Sequence, residues 1–540
     1  MKLLKLINTV KYLKFIQLYY RLHYILLKPT TNKANFNIKL KHIDMNWINV
    51  VDKPISMISP NTFIFLNHIA QVNTAEDWNS LKQEKLWLYN LHYFDDLNAE
   101  NNKARVDWHS DLINKWVNEN PYALGNAWEP YPNSLRIVNW IKWSLQGNTL
   151  NEVQLQSLAL QAEHLSKTVE WHILANHLFA NAKALIFAGL FFETLESKKW
   201  LDLGLKIYKK EIDEQVLSDG GNYELTPMYH SIFLEDLLDI YQILYIYKDL
   251  DLIDSSKLKI KINKMLNWLE KMTHPDAEVS FFNDAAIGIA PKYDDLLDYA
   301  QAFNVCDGVS NKSKDEYLNQ TGYVSVQRGD YKIICDVANL GPDYQPGHGH
   351  ADTLSFEMSC FGKRFIVNSG TSKYGIDDER LFQRSSEAHN VVVIDNQNSS
   401  EVWSGFRVAR RVNPKINFLN EKEKQIIDFK ASYKSLSGVY VSRYFKFENQ
   451  KIYIKDLLVG KFNEAISYIH FHPDVNIEIL NEKEIYCWFT KSQKVSIHVE
   501  SCQMQLLDTF YYPEFGKKVA NKTLKCIFDK NLCNFEIVIN

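Results

Sequence analysis

The sequence predicts an α+β multidomain chain in which a helical half is followed by a β half. Three observations carry this: a length of 540 residues, an apolar period that changes near residue 320, and the strongly polar stretch "DGVSNKSKDEYLNQ" at the change. At roughly 150 residues per domain, the length asks for more than one core. A hydrophobic content of 46% makes folding, not disorder, the default.

The helical half is read from "SLRIVNWIKWSLQ", "QLQSLALQAEHLSKTVEWHIL", "HLFANAKALIFAGLFF" and "SIFLEDLLDIYQILYIY", which repeat apolar residues every three or four positions. Each segment has a broad apolar stripe, so the helices must stack on one another as a bundle, a solenoid or a closed double ring. After residue 320, "GYVSVQRGDYKIICDVA", "GKRFIVNSG", "HNVVVIDN" and "CNFEIVIN" alternate apolar with polar residues and end in Gly- or Asn-containing turns, the pattern of antiparallel sheets packed as a sandwich. The expected units are an N-terminal segment 1–50, a helical domain 51–315 and a β domain 316–540.

The N-terminal "MKLLKLINTVKYLKFIQLYYRLHYILLKP" is broken by Lys5, Lys11, Lys14 and Arg21, so it lacks the continuous apolar core of a secretory signal. It reads as a basic amphipathic helix that packs on the protein or makes a peripheral contact with a membrane surface. A net charge of −4 argues against a general nucleic-acid binder. The seven cysteines include no C-x-x-C pair and sit beside apolar residues, as buried thiols do. Aromatic residues reach 13%, which suits a core or a carbohydrate cleft equally.

No phosphate loop, dinucleotide fingerprint, H-E-x-x-H or nucleophile elbow is present. Four stretches crowd reactive side chains instead. In "WHILANHLFANAKAL", Asn176, His177 and Asn181 interrupt an apolar helix, and His177 and Asn181 share a face; a buried amide and imidazole linking helices would look the same. In "DGGNYELTPMYHSIF", Tyr223, Glu224, Tyr229 and His230 surround a helix start, as a cleft or a capping loop requires. In "GHGHADTLSF", an extended backbone would point His348, His350 and Asp352 the same way. With Asn368, Tyr374 and His389 downstream, that face is a metal site or one wet strand. In "NAWEPYPNSLRIVNW", Trp128, Glu129 and Arg136 suit a sugar cleft or a paired helix start.

Taken together, "LWLYNLHYFDDL", "NAWEPYPNSLRIVNW", "NHLFANAKAL", "GGNYELTPMYH", "GHGHADTLSFEM", "NSGTSKY" and "AHNVVVID" resemble the heparinase II/III-like polysaccharide lyases and the related alginate lyases, in order, over roughly residues 85 to 410. The resemblance implies an N-terminal (α/α) toroid of helical hairpins, a C-terminal antiparallel β-sandwich, and an anionic polysaccharide bound between them. It implies β-elimination at a uronic acid: the C5 proton is removed, the oxygen at C4 leaves, and an unsaturated sugar remains. Asn176 and His177 match the positions that stabilise the enolate-like state. Tyr229 matches the proton-shuttling tyrosine, and His348 the β-domain histidine that is a base or orients Tyr229. Trp128, Glu129, Arg136, Tyr223, Glu224 and Tyr374 are the expected substrate contacts. The family's structural zinc maps to His350, Asn368 and His389, with a neutral amide where a carboxylate belongs.

The resemblance implies a periplasmic setting and a role in bacterial surface polysaccharide metabolism, whereas the missing signal pattern allows a cytoplasmic or membrane-peripheral one. Two alternatives remain at this point. One is an (α/α)-barrel glycoside hydrolase using paired carboxylates such as Glu129 and Asp284. The other is a non-catalytic glycan-binding scaffold of polysaccharide assembly. Neither the polymer nor the oligomeric state is readable.

Overall fold

A computed structural model describes residues 2–27, 35–306 and 315–540. The expected domain boundary at 315/316 therefore abuts a segment, 307–314, outside the described residues.

The principal helices of the first half are Val106–Glu119, Pro130–Leu145, Glu152–Thr168, Ala175–Phe191, Leu195–Gln215, Pro227–Ile246 and Ser255–Met272. Their starts follow local chemistry. Asn151 and Thr194 close capping boxes with Gln154 and Ser197, the Asp254 carboxylate accepts from the Lys257 amide, and proline opens Pro130–Leu145 and Pro227–Ile246. Ala175–Phe191 is apolar on every side and buried along nearly its whole length, the signature of a central helix. It packs against Pro130–Leu145, Leu195–Gln215 and Pro227–Ile246. Two glycines permit the closest of these approaches: a Cβ at Gly189 would lie 2.6 Å from the Leu201 Cβ, and one at Gly204 2.9 Å from the Ala182 carbonyl oxygen.

The tryptophans supply this core. Trp116 packs edge-on against Trp140 and tilted against Trp128, with the Arg136 guanidinium 3.9 Å above the Trp116 ring. The aromatic richness thus belongs chiefly to the interior. A three-stranded antiparallel sheet, Met57–Ser59, Thr62–Phe65 and His68–Gln71, joins the helical half without having been foreseen. Its strands are three or four residues long, too short for a period-two pattern to show.

The second half is wholly antiparallel in its sheet pairings. One sheet has five strands in chain order from Glu316–Leu318 to Lys363–Ile366; one has eight, centred on Lys451–Val459 and Leu532–Ile539; one has four, including Val392–Ile394 and Ala465–His470. Tyr440–Phe447, Lys451–Val459 and Leu532–Ile539 bury alternate residues, so Phe445, Ile454 and Phe535 face one core in register. Arg443 sits inward beside Asp456, 2.7 Å away across the strand pair, and also donates to the carbonyls of Leu354 and Asn390. All seven cysteines are buried and unpaired, matching the thiol reading.

The two halves are stitched by the helical half's segment 273–292. The Asp284 amide donates to the His348 carbonyl at 3.0 Å, the Ile287 amide to the Pro513 carbonyl at 2.8 Å, and Arg364 pairs with Asp276 at 2.7 Å. Every polar backbone group brought into this buried seam needs a partner, and the opposite half supplies it.

Three imidazoles buried in this framework, His92, His230 and His470, are each pushed down to about 3, first by burial. Below an unfolded value of about 6.5 the unfolded chain takes up protons that these native imidazoles refuse, so each contributes a loss of about 1.4 kcal/mol per pH unit down to its folded value. The thermal midpoint is therefore expected to fall continuously from about pH 6.5 to about pH 4 in scanning calorimetry. A midpoint flat across that window contradicts the neutral, buried assignment.

Candidate active site

Five of the residues singled out by sequence, Asn176, His177, Tyr229, His348 and Tyr374, line one cavity between the halves, about 830 Å3 in volume, together with Tyr131 and others. That size is ample for several sugar units' worth of polar contacts within an ordinary ligand cleft.

Asn176 and His177 do not interrupt a helix; they begin one. Leu174 and Ala175 take positive φ values of 70° and 55°, which break the chain after Thr168 and start Ala175–Phe191 at the cavity wall. The Asn176 amide donates to Glu224 Oε1 at 3.0 Å, and His177 Nδ1 meets Glu170 Oε1 at 3.0 Å with its ring against Tyr131. Burial opposes a charge on His177, but Glu170, with Glu224 and Glu129, outweighs it and raises the imidazole above its ordinary value. Asn181, one turn on, is buried away from the cavity and braces this corner by hydrogen bonds to Glu170 and Ser134.

Tyr229 lies in the first turn of Pro227–Ile246, behind the Thr226 cap and after Leu225 at φ 60°. Its hydroxyl is 3.0 Å from that of Tyr374, and its ring is 4.0 Å from the His348 ring. Burial, then Tyr374, Tyr131 and Asp284, push its phenol well above the ordinary range.

"GHGHADTLSF" is not a strand until Phe356; 347–355 is irregular, a correction to the extended reading. His348 and His350 nevertheless meet on one carboxylate. His348 Nδ1 is 2.9 Å from Asp284 Oδ2 and His350 Nε2 is 2.9 Å from Asp284 Oδ1. Arg380, on the short helix Asp378–Gln383, closes the cluster by gripping both Asp284 oxygens. Burial works against the Asp284 charge, but Arg380 and the two imidazoles hold the carboxyl well below its usual range. Asp352 turns elsewhere and accepts from the Asn283 amide at 3.3 Å. Because an ionised Asp284 only accepts, His348 donates from Nδ1, and its Nε2 lies 3.6 Å from Glu224 Oε2. Burial raises the Glu224 carboxyl.

The expected zinc ligands do not assemble a three-ligand site. His350 Nδ1 faces His389 Nε2 at 3.1 Å, and His389 Nδ1 donates to the Ser385 carbonyl. Asn368, however, spends its amide on the Phe281 carbonyl and on Asn390. No group of three His, Cys, Asp or Glu side chains among the described residues is arranged to hold a metal. The donor set is thus two imidazoles, and the residues present do not fit the implied zinc.

The expected substrate contacts divide. Tyr374 lines the cavity. Arg136 lies behind the wall, fully buried, its guanidinium used by Gln161, Asn133 and the carbonyls of His92 and Ala127. Trp128 is core, packed on Trp116, Tyr122 and His164. Glu129 reaches the rim through Lys85 and Tyr89, whereas Tyr223 and Glu224 are buried behind the cavity wall. Glu129 and Asp284 do not line the cavity together, and Asp284 is locked to Arg380, so that expected hydrolase pair is not assembled; of the carboxylates that do line the cavity, Glu235 and Asp236 are paired with Lys53 and Lys183. Glu170 and Arg380 went unrecognised; the acidic residue seven positions before His177 was the one available signal.

Comparison with known proteins bears on the family and the fold. The heparinase II/III N-terminus model matches residues 17–305 and the heparinase II/III-like C-terminal model matches residues 311–539. Heparin-sulfate lyases from Bacteroides stercoris and Pedobacter heparinus are each 26% identical, over 59% and 52% of this chain and 49% and 47% of their own length. The chain spans about half the length of the curated relatives it matches. A solved heparinase III structure aligns over 96% of this chain and 88% of its own with a TM-score of 0.68 at 16% identity, and the fold is shared. The heparan sulfate lyase from Pedobacter heparinus aligns over 97% and 87% with a TM-score of 0.60, also at 16% identity.

If Asp284 is the anchor of this site, Asp284→Ala leaves Arg380 buried without a counter-charge and costs about 3–5 kcal/mol. Adding Arg380→Met is expected to recover part of that loss. Denaturant titrations of the two single variants and the double variant measure the coupling, and strictly additive losses would contradict it.

Proposed function

The chain belongs to the heparinase II/III family, and from that premise we propose that it cleaves a uronate-containing polysaccharide by β-elimination. The observation that carries the reading is the meeting of Asn176, His177, Tyr229 and His348, from two halves of the chain, on one cavity. The curated relatives matched are named heparin-sulfate lyases.

The electrostatics suggest how the labour divides. The raised Tyr229 phenol keeps its proton at neutral pH, which suits a general acid facing the leaving oxygen at C4. His348, with Nδ1–H donated to Asp284, offers Nε2 as the acceptor for the C5 proton. His177, biased toward its cation by Glu170, and the Asn176 side-chain amide, a hydrogen-bond donor, would stabilise the uronate carboxylate, where negative charge gathers as C5 loses its proton. Tyr374, in hydrogen bond with Tyr229, orients the phenol.

Charge in the cavity narrows the substrate. Each lysine lining it already has a carboxylate partner: Lys53 with Glu235, Lys85 with Glu129, Lys142 with Asp239, and Lys183 with Asp236 and Asp239. No arginine is among the described lining residues. Sulfate groups call for cations free to bind them, usually in bidentate geometry. The ion-paired lining suits sugar hydroxyls and an occasional carboxylate, so we read the substrate as a uronate glycan with few or no sulfates.

Purified protein is expected to generate the ultraviolet absorbance of an unsaturated uronate from an unsulfated polymer such as hyaluronan, alginate or desulfated heparan, and more slowly from heparan sulfate. Tyr229→Phe is expected to lower the rate by about 10^2- to 10^4-fold with binding retained. Full activity in that variant, or new reducing ends without absorbance, overturns the lyase reading. Faster cleavage of the sulfated polymer overturns only the substrate reading.

A further inference from the structure

The two N-terminal helices, Lys2–Val10 and Phe15–Leu26, are built inside out. In Phe15–Leu26, the residues at i, i+3, i+4, i+7, i+10 and i+11 are Phe15, Leu18, Tyr19, Leu22, Ile25 and Leu26, one continuous face, and that face points to solvent. Phe15 is 81% exposed, Leu22 62%, Ile25 74% and Leu26 78%. The inward face is the polar one: buried Gln17 donates to the carbonyls of Ile173 and Tyr344, the Tyr24 hydroxyl to that of Val169, and Tyr20 stacks on Trp171. An ordinary surface helix does the reverse. Lys2–Val10 repeats the arrangement, with Leu3, Leu4, Ile7 and Val10 exposed while Thr9 bonds to Trp403 and the Val408 carbonyl. The apolar surface is therefore fixed in place by specific polar contacts beneath it and, among the described residues, left exposed above.

Charge identifies the partner. Residues 1–43 carry eight lysines and one arginine, and the first acidic residue is Asp44, in a chain whose net charge is −4; Lys14, Lys39 and Lys41 are paired with Glu214, Glu193 and Asp249, so the charge offered outward is that of the other basic residues. Lys11 and Arg21 border the apolar face and are exposed. No helix among the described residues is long and apolar enough to cross a membrane, so these helices suit the plane of an interface. A second copy of the same face would bring like charges together, which disfavours a symmetric dimer. We propose that the N-terminal helix pair is a docking surface for an anionic lipid bilayer, with the aliphatic face in the headgroup–acyl boundary and the exposed Lys11 and Arg21 at the lipid phosphates. Through Gln17 and Tyr344, the docked helix borders the loop that carries His348, so the cavity would work close to the bilayer.

Flotation of the full chain with phosphatidylglycerol-containing vesicles tests this, with pure phosphatidylcholine vesicles as the reference. The protein is expected to float with the anionic vesicles, to bind the neutral ones far less, and to be released by high salt. Leu22→Glu/Ile25→Glu replaces two exposed residues, leaves the cavity and the circular dichroism unchanged, and is expected to weaken partitioning by about tenfold or more. Absence of flotation, equal binding by the double variant, or a dimer that the variant abolishes in light scattering without vesicle binding each overturns the proposal.

Discussion

Asp284 is the interaction on which the rest of the site depends. Its carboxylate is the meeting point of His348, His350 and Arg380, three residues of the β half held by one residue of the helical half. A buried charge is costly unless it is paired and hydrogen-bonded, and here three donors discharge that cost. The same bonds set the tautomer of His348, bring its ring against Tyr229, and hold the two halves in register across the cavity. One carboxylate therefore ties the seam between the halves to the placement of His348 at the cavity.

The helical wall contributes a second carboxylate with a parallel task. Glu170 holds His177 as Asp284 holds His348, each through the imidazole Nδ1, and Glu170 biases His177 toward its cation. What differs is the carboxylate's own surroundings: Asp284 is shared with His350 and Arg380, whereas Glu170 also accepts from Asn181. Beyond them the cavity floor alternates lysine and carboxylate, Lys53 with Glu235 and Lys142 with Asp239, so it presents paired dipoles in place of free positive charge.

Much of this was legible in the residues. The change of period near 320 separated the halves because helix and strand bury their side chains at different spacings. The polar interruptions at Asn176, His177, Tyr229 and His348 marked the cavity because simple packing had no use for them. What stayed hidden depends on partners distant in sequence. Arg136 looked like a sugar contact, yet four acceptors and the Trp116 face consume it in the core. Asp284 looked like a hydrolase carboxylate until Arg380, 96 positions on, neutralised it. The alternation in "GHGHAD" pointed to a shared target for the two histidines through a strand geometry that the backbone does not adopt there. The positive φ values at Leu174 and Ala175, which start the helix at Asn176, have no glycine to announce them.

The central claim is that one uronate sits between the two halves with its C5 proton facing His348 and its bridging oxygen facing Tyr229. A crystal structure of the Tyr229→Phe protein with an uncleaved uronate oligosaccharide tests it most directly. The account predicts the uronate carboxylate against Asn176 and His177, with C5 within about 3.5 Å of His348 Nε2. A sugar chain bound outside this cavity, or a uronate whose carboxylate points away from Asn176 and His177, would contradict it.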